Sequence, residues 1–263
     1  MKAMKAKDII AILNKAIPKA ESWSVGESYG ANFHVKPLAD VKKILFCVTP
    51  THEVVEYFKQ NKYDLLISHH PFASTVPQLM YHTALDCCKG GLNDMWRDFL
   101  GVKDATHFDR NLGWQGRIDP ISFHDLVKKI ENWLQHEIIG LSWSKKEIIE
   151  SVCICTGLGG LVLNEAERTG TDCYILGELT HTVTAGSTNF SSIIEVGHTL
   201  TENIGIAFIR SLLPSLQIDL APLAIDYFGQ ETCSWPMRNQ KRVSGDTDIL
   251  DDFDNFDIDN FDY

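Results

Sequence analysis

The sequence predicts an α/β protein made of two similar halves with mixed sheets and a metal site between them. Three observations lead there. The stretch Tyr63 to Phe72 (YDLLISHHPF) is an apolar run that ends in two histidines and a proline. Leu65, Leu66 and Ile67 suit a strand buried on both faces, and Pro71 cannot continue a ladder, so the histidines stand at the strand's carboxyl end, where α/β sheets gather ligands. The pattern then recurs: Asp64 to His70 is DLLISHH and Asp172 to Glu178 is DCYILGE, each an acidic residue, an apolar strand and a terminal donor. Finally, YHTALD (Tyr81 to Asp86) and GHTLTE (Gly197 to Glu202) both carry His-Thr followed by a carboxylate. Residues four apart share a face in helix or strand, so His82 with Asp86 and His198 with Glu202 converge in either conformation.

In chain order, the spacing predicts an amphipathic helix from about Asp8, stopped near Pro18. Residues 43–48 (KILFCV) read as a strand and 53–60 as a helix leading to the central strand, a βαβ unit. Between His70 and His82 there is room only for a short connector. Gly90, Gly91 and Asn93 make a turn before a helix over 94–100, and Asn111 to Asp119 (NLGWQGRID) reads as a glycine-rich loop. Ser122 with Asp125 resembles a capping box, and Phe123, Leu126, Val127, Ile130, Trp133 and Leu134 follow at helical spacing, an expected core stripe. Residues 151–155 start the second half as a strand. The turn Thr156 to Gly160 (TGLGG) leads to a helix near 161–168; it lacks the third glycine of a dinucleotide fingerprint and the Lys-Ser/Thr of a P-loop, so a tight turn is favoured over a phosphate cradle. Strands over 173–176 and 193–196 and a helix starting near Thr201 complete the repeat. The expected division is 1–118, 119–242 and an acidic tail over 243–263 whose composition suits disorder.

The chain has 263 residues, 44% hydrophobic and 22% charged, enough for a substantial core. Eight aspartates from Asp246 onward account for eight of its eleven net negative charges and leave −3 on the body. No basic stripe invites nucleic acid and no polybasic patch invites a membrane surface. The amino end has too short an apolar core for a signal peptide, and no run approaches a membrane span. Seven cysteines, without Cys-x-x-Cys, suit a reducing cytoplasm and no thiolate zinc site.

The donor set read from these motifs is His69, His70, Asp86, His198 and Glu202, with His82 as a further candidate. That exceeds what one tetrahedral zinc uses and mixes imidazole with carboxylate, which suits two divalent cations sharing a bridging oxygen; Zn, Fe, Mn and Ni all qualify. Glu178 and His181, in GELTHT, are next, as residues orienting the donors or as proton donors, against a helix-start carboxylate and a surface imidazole. Cys87 and Cys88 adjoin Asp86 but read as buried thiols by default. No nucleophile-elbow motif occurs. Two functions stand: a metal-dependent hydrolase of a small nucleotide or heterocyclic substrate, or a non-catalytic metal carrier or interaction scaffold.

On DLLISHHPF, YHTALDCCKGGLND, TGLGG, YILGELTHT and EVGHTLTE, the sequence resembles the NIF-three-like family, whose members are called GTP cyclohydrolase I type 2 homologues. The resemblance spans most of the chain apart from the tail. It implies a dinuclear centre carried by His69, His70, Asp86, His198 and Glu202, in a two-part α/β subunit of a ring-like homohexamer. Family members carry a longer segment with a helix where this chain has only 72–81, and they often have an aspartate that 46–49 lacks.

Overall fold

Strands whose successive side chains enter two different cores dominate the architecture. The computed structural model describes residues 3–23, 27, 29–32, 40–71, 75–138, 140, 142–179, 190 and 192–221, with 31 and 32 as backbone alone. His181 and the acidic tail over 243–263 lie outside the described residues.

The front of the chain runs β1 (Met4–Lys5), α1 (Ala6–Ala16), β2 (Tyr29–Asn32), β3 (Asp40–Val41), β4 (Lys43–Cys47), α2 (His52–Gln60), β5 (Leu65–Ser68), β6 (Gln78–Tyr81), α3 (Thr83–Cys87) and α4 (Leu92–Leu100). Then come β7 (Lys103–Phe108), β8 (Gly113–Ser122), α5 (Phe123–Leu134), β9 (Ser142–Ser144), β10 (Ile148–Cys155), α6 (Leu163–Glu167), β11 (Cys173–Leu176), β12 (Ser192–Glu195), α7 (His198–Asn203), α8 (Gly205–Leu212) and β13 (Gln217–Leu220). One sheet has the order β13-β4-β5-β6-β2 and the other β7-β8-β10-β11-β12-β9, while β1 and β3 pair separately. In the first, β13, β4, β5 and β6 are parallel and β2 is antiparallel at the edge. In the second, β10, β11 and β12 are parallel, with β8 and β9 antiparallel on either side. Both sheets are therefore mixed. With β3 set aside, which pairs only with β1, the succession α1-β2-β4-α2-β5-β6-α3 returns as α5-β9-β10-α6-β11-β12-α7.

The apolar runs make sense on these sheets. Ile44, Phe46, Leu65 and Ile67 enter one core with Ile9 and Leu13 of α1, whereas Leu45, Cys47 and Leu66 enter another with Val54 and Phe58 of α2. In the second sheet Val152, Ile154 and Ile175 pack with Leu126 and Ile130 of α5, and Cys153, Cys155 and Tyr174 pack on the opposite side. Helices on both faces explain strands with no polar alternation. Ser122 caps α5 as the sequence reading expects: its Oγ accepts from Asp125 N at 3.0 Å and donates to Asp125 Oδ2 at 2.7 Å.

The repeated aspartate has a shared structural task. Asp64 Oδ2 accepts from Lys42 N and Lys43 N at 2.8 and 2.9 Å, and Asp172 Oδ2 accepts from Glu150 N and Ser151 N at 3.0 and 3.1 Å. Each carboxylate thus fastens the loop entering one strand to the residues just ahead of the paired segment of its parallel neighbour.

Four expectations need correction. Residues 111–119 are not a loop: most belong to β8, and their glycines serve close approach. A Cβ on Gly113 would lie 2.3 Å from the Phe108 ring, and one on Gly116 would lie 2.5 Å from Lys103 O. The connector after His70 contains β6, a full parallel strand of the first sheet. The last helix of the repeat begins at His198 rather than near Thr201, so Glu202 stands in its final turn and gains nothing from the helix start. The 118/119 border falls inside β8, whose pairing continues across it because the strand covers the open edge of β10, and β13 returns to the first sheet. Among the described residues no helix is long and apolar enough to cross a membrane.

Candidate metal centre

The two central histidines are held by backbone pairing that continues past β5. His69 N donates to Cys47 O at 3.1 Å and His70 N donates to Val48 O at 2.8 Å. Their rings converge with centroids 5.1 Å apart, and the His82 ring lies 5.2 Å from His69. From the other sheet, α7 presents His198 and Glu202 one turn apart on one face, Nε2 to Oε1 at 3.1 Å. Across the gap, His70 Nε2 is 3.2 Å from His198 Nε2 and 3.4 Å from Glu202 Oε2. His69 Nε2 is 3.3 Å from Glu202 Oε1 and 3.5 Å from Asp86 Oδ2.

The structure thus brings together all five residues of the first donor set, in clusters that could hold a metal ion: His70, His198 and Glu202; His69, Asp86 and Glu202; and His69, His70 and His82. Glu178 also reaches the site, its Oε2 2.9 Å from His198 Nδ1. This contact and one between Thr49 Oγ1 and His70 Nδ1 at 2.5 Å turn the Nε2 atom of each imidazole towards the centre. His82 is turned instead towards Glu27, Nδ1 to Oε2 at 3.3 Å, and Glu27 also accepts from Thr83 Oγ1 at 2.7–2.8 Å. On the Asp86 side, Thr156 Oγ1 donates to Oδ1 at 2.7 Å and leaves Oδ2 to face His69.

The fit to a cation rests on orphaned atoms. His69 is 1% exposed and Glu202 2%, yet both nitrogens of His69 and Oε2 of Glu202 lack a hydrogen bond of acceptable geometry. Buried polar atoms are almost always satisfied, and a cation supplies what these lone pairs lack. Without one, charge is shared unevenly. Burial opposes a charged His69, but Glu202 and Asp86 outweigh it and push its pKa up to about 9. Burial also opposes His198, but Glu202 and the hydrogen bond to Glu178 push it up to about 10. Burial drives His70 down to about 3 and raises Asp86. Glu202, despite its burial, is held well below the carboxylate range by His198, His69 and His70.

No sequence motif assigns Thr49, Thr156 or Glu27 to this centre. Glu27 meets Thr83 across 56 residues, a contact no local pattern announces. Three N–H groups of the TGLGG turn are taken up inside the protein, as in a tight turn: Gly157 N donates to Thr201 Oγ1, Gly159 N to Gly157 O and Gly160 N to Glu178 O. Gly157 serves proximity instead. It sits at φ +58°, and a Cβ there would lie 2.3 Å from Glu202 Oε1. Cys87 is partly buried and Cys88 buried, with both thiol pKa values raised by burial, and neither joins a donor cluster. Beside the donors opens a cavity of about 300 Å³, whose lining includes His82, Asp86, His198 and Glu202 as well as Trp23 and Leu161.

Comparison with known proteins bears on the family and the fold. Relatives called GTP cyclohydrolase 1 type 2 homolog include one from Methanocaldococcus jannaschii, 24% identical over 85% of this chain and 100% of the relative. Another, from Clostridium perfringens, is 25% identical over 74% of this chain and 86% of its own length. Among solved structures, reduced HcgD from Methanocaldococcus jannaschii shares the fold with a TM-score of 0.72 at 21% identity, covering 84% of this chain and 99% of HcgD. A Bacillus cereus protein related to NIF3 gives a TM-score of 0.69 at 14% identity, covering 84% and 98%. The family described as Duf34/NIF3 (NGG1p interacting factor 3) matches residues 4–78 and 73–226, and the chain belongs to that family.

Proposed function

We propose that this protein binds two divalent metal ions and uses them to hydrolyse a small nucleotide or heterocyclic substrate. The observation that carries the reading is the sharing of Glu202 by two donor triads, one completed by His70 and His198 and the other by His69 and Asp86. A carboxylate common to two triads suits a pair of cations rather than one. When bound, such a pair supplies Lewis-acid polarisation of a substrate oxygen and lowers the pKa of water. The chain's own residues set the rest. Glu178 and Thr49 orient His198 and His70, Thr156 fixes the Asp86 carboxylate, and Glu27 holds His82 beside the cavity. The relatives' name is compatible with a heterocyclic substrate and is no more specific for this chain. The same reading takes the subunit as one of a homohexamer, as the family resemblance implies, in a reducing cytoplasm suited to its free cysteines.

The test is elemental analysis of wild type against His69→Ala and Glu202→Ala, followed by incubation of the metal-loaded protein with nucleotides and phosphoesters. About two metals per chain, lost in the variants, together with turnover of a panel member, are expected. Two retained metals without turnover across a wide panel would favour the metal-carrier reading instead.

A further inference from the structure

The apolar side of the cavity is built as carefully as its donor side. Among the described residues, three large hydrophobic side chains are exposed, and two of them, Leu158 at 36% and Leu161 at 64%, line this cavity. Trp23 lines it too. Its indole N–H donates to Asp109 Oδ2 at 2.8 Å, the Arg110 guanidinium lies 4.8 Å from its ring centre, and its backbone N–H donates to Thr83 Oγ1 at 2.8 Å. Asp109 and Arg110 both have positive φ, 42° and 66°, uncommon for residues with side chains and kept where the surroundings demand it. Thr83 is bound in turn to Glu27, which holds His82, so the Trp23 backbone is tied to the same framework as the metal donors. No lysine or arginine is among the described residues lining the cavity, and the N–H groups of Gly157, Gly159 and Gly160 are already bonded within the protein.

We propose that Trp23 is a specificity-determining residue that stacks on a planar heterocycle, with Leu158 and Leu161 completing the apolar wall, so that substrate is recognised by its ring face rather than by a phosphate tail. Stacking suits any flat π-system and needs a ring held in place, which is what Asp109 and Arg110 provide. The proposal rests on the two-metal hydrolase reading for the neighbouring site and adds the substrate's shape.

The experiment is calorimetric titration of the metal-loaded protein with guanosine and, separately, with inorganic phosphate, for wild type, Trp23→Leu and Trp23→Phe. Metal content and turnover are measured on the same samples. Guanosine binding should weaken about tenfold in Trp23→Leu and recover in Trp23→Phe, while phosphate binding and metal content stay level across the three. Equal guanosine affinity in wild type and Trp23→Leu, no guanosine binding by wild type, or a parallel loss of phosphate binding would each overturn the stacking wall. Ring-selective binding without turnover would sink the hydrolase reading and leave Trp23 in its role; metals and turnover with guanosine affinity unchanged by Trp23→Leu would do the reverse.

Discussion

Replacing Glu202 by glutamine keeps the side chain's shape and removes its charge, and the geometry makes this the most telling single change. Imidazole nitrogens of His198, His69 and His70 surround the carboxylate at 3.1, 3.3 and 3.4 Å, and it belongs to two donor triads at once. With free metal about a thousandfold above its dissociation constant, binding to the folded state alone contributes about 4 kcal/mol of stability per site, about 8 for two sites. At this chain length each kcal/mol moves Tm by roughly 2–4 °C, so chelation should lower the wild-type Tm by about 16–32 °C. Glu202→Gln should melt at one temperature with or without chelator, because both triads have lost the carboxylate they share. It should also melt below the chelated wild type, since removing one member of a buried ion pair costs about 3–5 kcal/mol. Scanning calorimetry and elemental analysis of the same samples read both effects. A Glu202→Gln protein that keeps two metals and the full chelator-dependent shift would refute the shared-carboxylate arrangement.

Four further outcomes follow from the same structure. In the metal-free protein His69 and His198, with pKa values of about 9 and 10, are protonated at pH 7, so metal loading should release about two protons per chain, read by calorimetry in buffers of different ionisation enthalpy. Because both values are raised, the stability these imidazoles give the metal-free fold is present in full below about pH 6.5 and is lost as pH rises through 9 to 10; a chelated protein that grows more stable over that range would contradict the ion pairing. Gly157→Ala removes no donor, yet it places a methyl group 2.3 Å from Glu202 Oε1 at a position with φ +58°. Elemental analysis should show metal loss, and chemical denaturation a destabilisation of about 1–3 kcal/mol. Burial works against a charged Asp172, but the Lys146 ammonium at 2.8 Å and the N–H groups of Glu150 and Ser151 hold its pKa below the usual value. Asp172→Asn should therefore cost about 1 kcal/mol at pH 7, a modest figure because water reaches the site. The gap between variant and wild type should close in urea melts as pH falls below about 4, where the carboxylate takes up its proton.

What was legible in the sequence has a physical pattern. The parallel strands announced themselves because helices cover both faces, leaving Leu65 to Ile67 and Cys173 to Leu176 with no polar alternation, and because Asp64 and Asp172 each fasten a strand entry through two backbone N–H groups. The donor motifs were legible because adjacency and a separation of four constrain direction in any regular structure. Glycine misled the reading of β8, since the residue that frees a loop is also the one that lets strands approach: Gly113 makes room for Phe108 as a loop glycine never would. The two His-Thr motifs carry a subtler lesson, because equal letters do not occupy equal places. His82 precedes α3 as its cap and turns to Glu27, whereas Gly197, at φ 121°, takes the capping position before α7 and makes His198 the first helical residue, one turn below Glu202. A shift of one residue against the helix start thus gives one imidazole a carboxylate partner on its own helix and the other a distant partner in Glu27, and only the packed fold decides between them. Glu27, Thr49 and Thr156 reach the centre across tertiary distance, so the sequence pattern marks the donors while the groups that orient them stay hidden until the two sheets meet.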